Sequence, residues 1–200
     1  MMEKTVVIGK AELFSLERVL PILAFAIPFF ISGPQLLTGT VVNCLLFLST
    51  RYTSKKTSII VAMVPSVGAL LNGLVFGKFT PFLVYFIPFI WVGNFILIKT
   101  FPVILGTLSE QREPKGTPES KNRFWLRSPP LVGSLTRMTI AIFLSALLKS
   151  SFLFIFAFLF LKLQIVPQIF LTAMGVFQFA TAIMGGVVFL GINKLLENRG

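Results

Sequence analysis

One basic residue, Lys149, lies deep inside an apolar stretch of the sequence, about twelve residues or 18 Å from the end of the helix predicted there. An ammonium group at that depth in hydrocarbon costs about 2.5–3.5 kcal/mol on insertion scales unless it is paired or hydrated. All seven acids are Glu and lie outside the apolar stretches, and the chain has no Asp and no His. We therefore expect Lys149 either to be capped by helix carbonyls and Ser or Asn side chains, or to bind an anionic or carbonyl-bearing ligand in a polar cavity.

Amide side chains form a second set of polar residues, one in each of four apolar stretches: Asn43, Asn72, Asn94 and Gln178. Two interpretations stay open, because amides in membrane helices commonly form hydrogen bonds between helices but also orient ligands in apolar sites. Gln35 and Asn72 lie near predicted outer helix ends, which suits a pocket that opens outward. The predicted substrate-binding residues are Lys149, Gln178, Asn94, Asn72, Gln35 and Asn43.

Several classes of chemistry lack their usual residues. Coupled transporters and intramembrane hydrolases rely on carboxylates or His inside the membrane, and no Gly-x-x-x-x-Gly-Lys-Ser/Thr phosphate loop is present. The single cysteine, Cys44, excludes an internal disulfide and a cysteine-rich metal site. We predict no enzyme activity, cofactor or metal, and any uphill transport would draw its energy from another subunit.

The elements that position these residues are predicted to be membrane helices. Hydrophobic residues make up 55% of the chain, the mean hydropathy is +0.89, and the apolar residues fall in long runs. We expect an all-α, polytopic single membrane domain over residues 1–200, with no removable signal peptide in the mixed-charge N-terminus. The six predicted spanning helices are 19–33, 35–50, 57–77, 80–105, 131–161 and 165–192.

The basic residues predict the orientation of these helices. With the N-terminus inside, fifteen Lys and Arg residues fall on inside segments and only Lys78 and Lys162 on outside turns. Residues 107–130 form a long polar, basic cytoplasmic loop, and both termini are cytoplasmic. The formal net charge of +11 is thereby explained by topology, and the basic residues form no patch that would indicate nucleic-acid binding.

Small residues recur four apart in the last predicted helix: Thr181 and Gly185, then Ala182 and Gly186. This spacing is typical of close helix packing. Packing within the bundle is the main interpretation, and a docking face for a partner subunit is the alternative.

An ordered set of residues resembles the substrate-binding S components of energy-coupling factor (ECF) transporters. The set begins with Gln35-Leu-Leu-Thr-Gly-Thr-Val-Val-Asn43, and continues with Pro65, Gly73, Ile87-Pro88-Phe89 and Gly93-Asn94. Later members are Lys149 with Phe152-Leu153, and Gln178 with Thr181-Ala182 and Gly185-Gly186. The resemblance spans nearly the whole chain outside the central loop.

This resemblance implies a six-helix subunit of a prokaryotic plasma membrane that captures a vitamin or related micronutrient from outside. It implies as partners a transmembrane coupling subunit and two ATPase subunits. Two other functions remain open on the residues alone: a facilitator or channel that works without a partner, and a scaffold whose basic loop recruits a partner or anionic lipid.

Overall fold

The computed structural model describes residues 10–31, 35–76, 80–110 and 130–197, and the regular elements in these ranges are all α-helices. The helices are α1 (Lys10–Phe30), α2 (Gln35–Tyr52), α3 (Lys55–Phe76), α4 (Thr80–Glu110), α5 (Pro130–Lys162), α6 (Ile169–Met174) and α7 (Val176–Glu197). Most of the predicted long loop, residues 111–129, lies outside the described ranges, as does the end of the first predicted helix at residues 32–34.

Within the described residues, four helical stretches are long and apolar enough to cross a membrane: Lys55–Gly73, Phe82–Ser109, Gly133–Lys162 and Ile169–Glu197. They correspond to α3, α4, α5 and the α6–α7 pair. A chain whose described elements are all helices, and which contains these stretches, has the construction of a helical membrane protein. The predicted fold class is confirmed at this level.

The last predicted helix, 165–192, corresponds to the apolar helical stretch Ile169–Glu197. In the structure it is divided into α6 and α7 at Gly175, whose φ and ψ angles are −97° and −88°. A Cβ atom at Gly175 would lie 2.6 Å from Cδ2 of Phe154 on α5, so the ring can pack here only against a glycine. The first helix begins earlier than predicted, at Lys10 instead of residue 19. The prediction followed the apolar run, and α1 also includes the charged segment before that run.

The turn after α5 is a Schellman motif, in which two backbone N–H groups close the helix end. Ile165 N–H donates to the Phe160 carbonyl (2.9 Å), and Gln164 N–H donates to the Leu161 carbonyl (3.0 Å). Gln164 occupies the left-handed position of the motif with a φ of 56°, where glycine is usual. The chain therefore reverses before α6 at the expense of a strained residue.

The core is built around α2, which packs against α1, α3, α4 and α7. Every residue from Val42 to Ser49 is buried, so this part of α2 is enclosed on all sides. The rings of Phe47, Phe101 and Phe189 meet here at centroid distances of 5.0–5.8 Å. α2 is therefore the central helix of the bundle.

A second apolar cluster joins α4, α5 and α6, and we call it the α4–α5–α6 cluster. Its buried members are Phe86, Leu153, Ala157, Val166, Phe170 and Met174. The rings of Phe86 and Phe170 stack with centroids 5.4 Å apart and planes 2° apart. The short α6 is held to the bundle by this apolar contact, and by a hydrogen bond from Gln35 Nε2 to the Ala173 carbonyl (3.2 Å).

Polar contacts gather several helix ends at one end of the bundle, which we call the basic end (residues 51–58 with the C-terminal turn of α7). Tyr52 donates to Asn193 Oδ1 (2.6 Å), and the Arg51 guanidinium lies 3.7 Å from the Glu197 carboxylate. Glu17 of α1 accepts from the Ser54 N–H (2.9 Å) just before α3 begins. These contacts fix the ends of α2, α3 and α7 relative to one another and to Glu17 of α1.

Glycines allow α2 and α7 to cross at close range. A Cβ atom at Gly185 would lie 2.6 Å from the Thr40 carbonyl oxygen and 2.8 Å from the Cys44 nitrogen. On the facing helix, a Cβ atom at Gly39 would lie 2.8 Å from Cγ2 of Thr181. This crossing brings the polar side chains of the two helices together.

Replacing Gly185→Ala is expected to destabilise the protein by about 1–3 kcal/mol, because the new methyl group meets backbone atoms of α2 that cannot rotate away. The measurement is unfolding by SDS in mixed micelles, followed by far-UV circular dichroism. Gly191→Ala on the same helix is the matched control, since nothing lies within 4 Å of a Cβ atom there. Equal loss of stability in both variants would contradict the close crossing.

Replacing Gln164→Gly is expected to stabilise the protein by about 0.5–1 kcal/mol, because glycine adopts the left-handed conformation without a Cβ penalty. Thermal unfolding of the purified protein measures the change. Gln164→Ala keeps the Cβ atom and serves as the control, for which we expect no gain. A gain of the same size in both variants would show that loss of the long side chain is the cause.

Candidate functional site

Lys149 lies on α5, thirteen residues before its last residue Lys162, or about 20 Å along the helix axis. Only 2% of its surface is exposed. Its hydrogen-bond partner Asn43 lies near the middle of α2, eight residues after Gln35 and nine before Tyr52. The lysine is therefore level with the centre of the most enclosed helix.

A chain of hydrogen bonds connects Lys149 to α2 and α7. The Lys149 ammonium donates to Asn43 Oδ1 (2.7 Å), and Asn43 Nδ2 donates to the Gly39 carbonyl (2.9 Å) and to Thr181 Oγ1 (3.2 Å). The Thr181 hydroxyl donates in turn to the Gln178 backbone carbonyl (3.1 Å). Asn43 and Thr181 are each 1% exposed. We call Lys149, Asn43 and Thr181 the polar triad.

The ammonium of Lys149 has three donor hydrogens, and Asn43 accepts one of them. Within the described residues, no carboxylate lies within 4.0 Å of Lys149. The hydroxyl of Ser145, one turn before it, donates to the Ala141 carbonyl of its own helix (2.7 Å). Lys149 is thus a buried amino group anchored by a neutral amide, with donor capacity for a further acceptor.

The other predicted amides lie elsewhere and join different helix pairs. Asn94 Nδ2 donates to the Ala62 carbonyl (2.7 Å) between α4 and α3, and Asn72 Nδ2 donates to the Phe29 carbonyl (2.6 Å) between α3 and α1. Both bonds satisfy backbone carbonyls of a neighbouring helix. Their assignment as substrate ligands stays a prediction, and the contacts they make here are those of interhelical hydrogen bonding.

Gln178 lies close to the polar triad, and Gln35 lies far from it. Gln178 is half-buried on α7 and contributes its backbone carbonyl to Thr181, one turn from the polar triad. The exposed Gln35 bonds to α6 at the opposite end of the bundle from the basic end. The structure therefore brings Lys149, Asn43 and the backbone of Gln178 together, and leaves the other three predicted residues apart.

The small residues at 181, 182, 185 and 186 are all buried inside the bundle. Thr181 and Gly185 face α2, and a Cβ atom at Gly186 would lie 2.3 Å from Cγ2 of Ile142 on α5. Here they serve packing within the bundle. Thr181 is also the member of the polar triad that the sequence analysis did not predict as a polar ligand. The available signal was spacing: Gly39 and Asn43, like Thr181 and Gly185, are four residues apart, as in a close helix crossing.

A shallow, open depression of about 390 Å³ lies at the end of the bundle opposite the basic end, lined by Phe82, Leu161 and residues 164–168. Lys149 is not among the lining residues. Leu153 and Ala157, one and two turns after Lys149 on α5, belong to the α4–α5–α6 cluster. This cluster thus lies along α5 between the depression and the polar triad.

Comparisons of the chain with protein families, with characterised proteins and with solved structures give no match. Within the described residues, no three His, Cys, Asp or Glu side chains are grouped as a metal site. The geometry of the polar triad is therefore the basis on which a function is argued below.

A double-mutant cycle on Asn43 and Lys149 tests the triad. Asn43→Leu removes the acceptor from a buried ammonium and is expected to destabilise the protein by about 2–4 kcal/mol, because hydrogen bonds to charged groups are the strong ones. Lys149→Met removes the charge and is expected to cost less. SDS unfolding of both single variants and the double variant measures the coupling.

The double variant is expected to be at least about 1.5 kcal/mol more stable than the sum of the single effects predicts. Asn94→Leu combined with Lys149→Met is the control pair, since Asn94 bonds to Ala62 instead of Lys149. Additive effects for Asn43 and Lys149 would show that their hydrogen bond contributes nothing to stability.

Proposed function

We propose that the protein is the substrate-binding membrane subunit of an ECF-type transporter, and that Lys149 binds an anionic or carbonyl group of a vitamin or related micronutrient. The observation that carries this proposal is a fully buried lysine amino group, level with the middle of the bundle, that is anchored by a single amide oxygen. A cation at membrane depth is expensive to retain, and such residues generally mark substrate pathways.

The proposal includes six spanning segments, with α1 and α2 added to the four most apolar stretches. The 18 residues of α2 correspond to about 27 Å, close to the thickness of the hydrocarbon core, and α1 contributes the apolar residues 19–30 that follow its charged first segment. α2 is enclosed by spanning helices, and α1 runs parallel to α3: Glu17 contacts Ser54, and Phe29 contacts Asn72. Both termini would be cytoplasmic, because the basic residues concentrate at the basic end. A prokaryotic plasma membrane is what the resemblance to ECF S components implies.

The substrate would enter from the side of the depression, past α6. This six-residue helix is held by the stacking of Phe170 on Phe86, by the burial of Met174 and by the Gln35 hydrogen bond. Short elements tied by few contacts open at a lower free energy than the core of a fold. Displacement of α6 would expose the Phe86 ring to a planar ligand and open a route along α5 towards Lys149.

The energy for uptake would come from partner subunits. The sequence contains no nucleotide-phosphate loop, and the carboxylates described lie at the basic end instead of in the middle of the helices. A coupling subunit and two ATPase subunits, as the ECF resemblance implies, would supply the missing step. In this scheme the chain binds the substrate, and its partners move it.

Native mass spectrometry of the purified protein tests the proposal, with identification of any small molecule that co-purifies. We expect one micronutrient per chain, and an affinity at least about 30-fold weaker in Lys149→Met, because truncating one partner of a buried charged contact costs more than 2 kcal/mol. Lys162→Gln is the control, since Lys162 is exposed at the end of α5.

Three outcomes would contradict the proposal. A protein that stays empty across a panel of vitamins would favour the scaffold function, in which Asn72 and Asn94 only join helices. Flux of a solute into vesicles that contain this chain alone, without ATP, would favour a facilitator. Binding that is equally strong in the wild type and in Lys149→Met would move the site away from the polar triad.

A further inference from the structure

We propose that the basic end of the bundle carries a binding site for the phosphate of an anionic phospholipid, formed by Lys55 and Lys56 at the start of α3 and Lys99 on α4. The acyl chains would lie on the adjacent lipid-facing surface of α3 and α4. This site is separate from the polar triad and does not depend on the proposed transport function.

Interhelical hydrogen bonds fix the register that brings the three lysines level. α3 and α4 run antiparallel, with Asn94 bonded to the Ala62 carbonyl and Trp91 bonded to Met63 and Ser66. Lys99 lies five residues beyond Asn94, and Lys56 lies six residues before Ala62. At 1.5 Å per residue, Lys99 and Lys56 reach nearly the same height along neighbouring helices.

All three lysines are exposed, and within the described residues no carboxylate lies within 4.0 Å of any of them. Glu17, which reaches this end of the bundle, accepts a hydrogen bond from the Ser54 N–H. The first turn of α3 has no acidic residue, and its two lysines face the positive end of the helix dipole, which disfavours cations. An external anion would relieve this local excess of positive charge.

The surroundings of these lysines favour a lipid over a soluble anion or a protein. Ile59 and Ile60, in the turn after Lys56, are each 46% exposed. On α4, Lys99 interrupts an exposed stripe that also contains Val92 and Val103, which are 43% and 66% exposed. Both helices are apolar enough to span a membrane. Cationic groups directly beside exposed apolar side chains match the headgroup and acyl chains of a phospholipid.

Native mass spectrometry with short-chain lipids tests the site. The full-length protein in detergent is titrated separately with dioctanoyl phosphatidylglycerol, dioctanoyl phosphatidylcholine and inorganic phosphate. We expect one phosphatidylglycerol to be retained in preference to the other two. The Lys56→Gln/Lys99→Gln variant is expected to bind it about 30-fold more weakly, about fivefold for each lysine removed.

The control variant is Lys162→Gln, which removes an exposed cation from the end of the bundle opposite the basic end. This variant is expected to retain the lipid. Unchanged melting temperatures in detergent alone would show that both variants fold. Equal retention of phosphatidylglycerol and phosphatidylcholine by the wild type would overturn the proposal. So would equal losses in the two variants, or phosphate binding as strong as that of the lipid, which would indicate a soluble anion.

Discussion

The interior of this protein is governed by the cost of leaving a polar group without a partner where water is absent. Within the described residues, no buried side-chain nitrogen or oxygen atom lacks a hydrogen-bond partner. The partners are mainly backbone carbonyls of the same or a neighbouring helix, as for Asn72, Asn94 and Trp91. In hydrocarbon, an unsatisfied group of this kind costs several kcal/mol, so each bond also fixes the rotation of one helix against the next.

The polar triad depends on this constraint and on the glycines beside it. Asn43 can reach Thr181 because Gly39 and Gly185 let the two backbones approach, and Lys149 then takes the remaining acceptor of Asn43. A larger residue at either glycine would push α2 away from α7 and so displace Asn43, without contacting Lys149 itself. Packing of small residues therefore positions the buried Lys149, and polar bonding and apolar packing are not independent here.

Sequence reasoning predicted most helix bounds well because long apolar runs end at Gly, Pro and charged residues. The break at Gly175 was missed, because a lone glycine in an apolar run carries no boundary signal. The Phe154 ring that packs against this glycine comes from another helix, and a sequence does not show such a contact. The hydrogen-bond partners of the amides could not be predicted either, because they depend on how each helix is rotated and on which helix packs against it. Asn43 and Asn94 look alike in sequence, yet one bonds to a lysine and the other to a carbonyl.

Under the proposed function, the bond between Lys149 and Asn43 need not compete with a ligand. An ammonium donates three hydrogen bonds, so a carboxylate or carbonyl can bind while the amide oxygen stays in place. Asn43 is itself fixed by Gly39 and Thr181, and it holds the lysine in one position before a ligand arrives. A preorganised cation loses less side-chain entropy on binding than a free one. The same amide that makes a buried lysine tolerable in the closed bundle would therefore also make it an effective ligand.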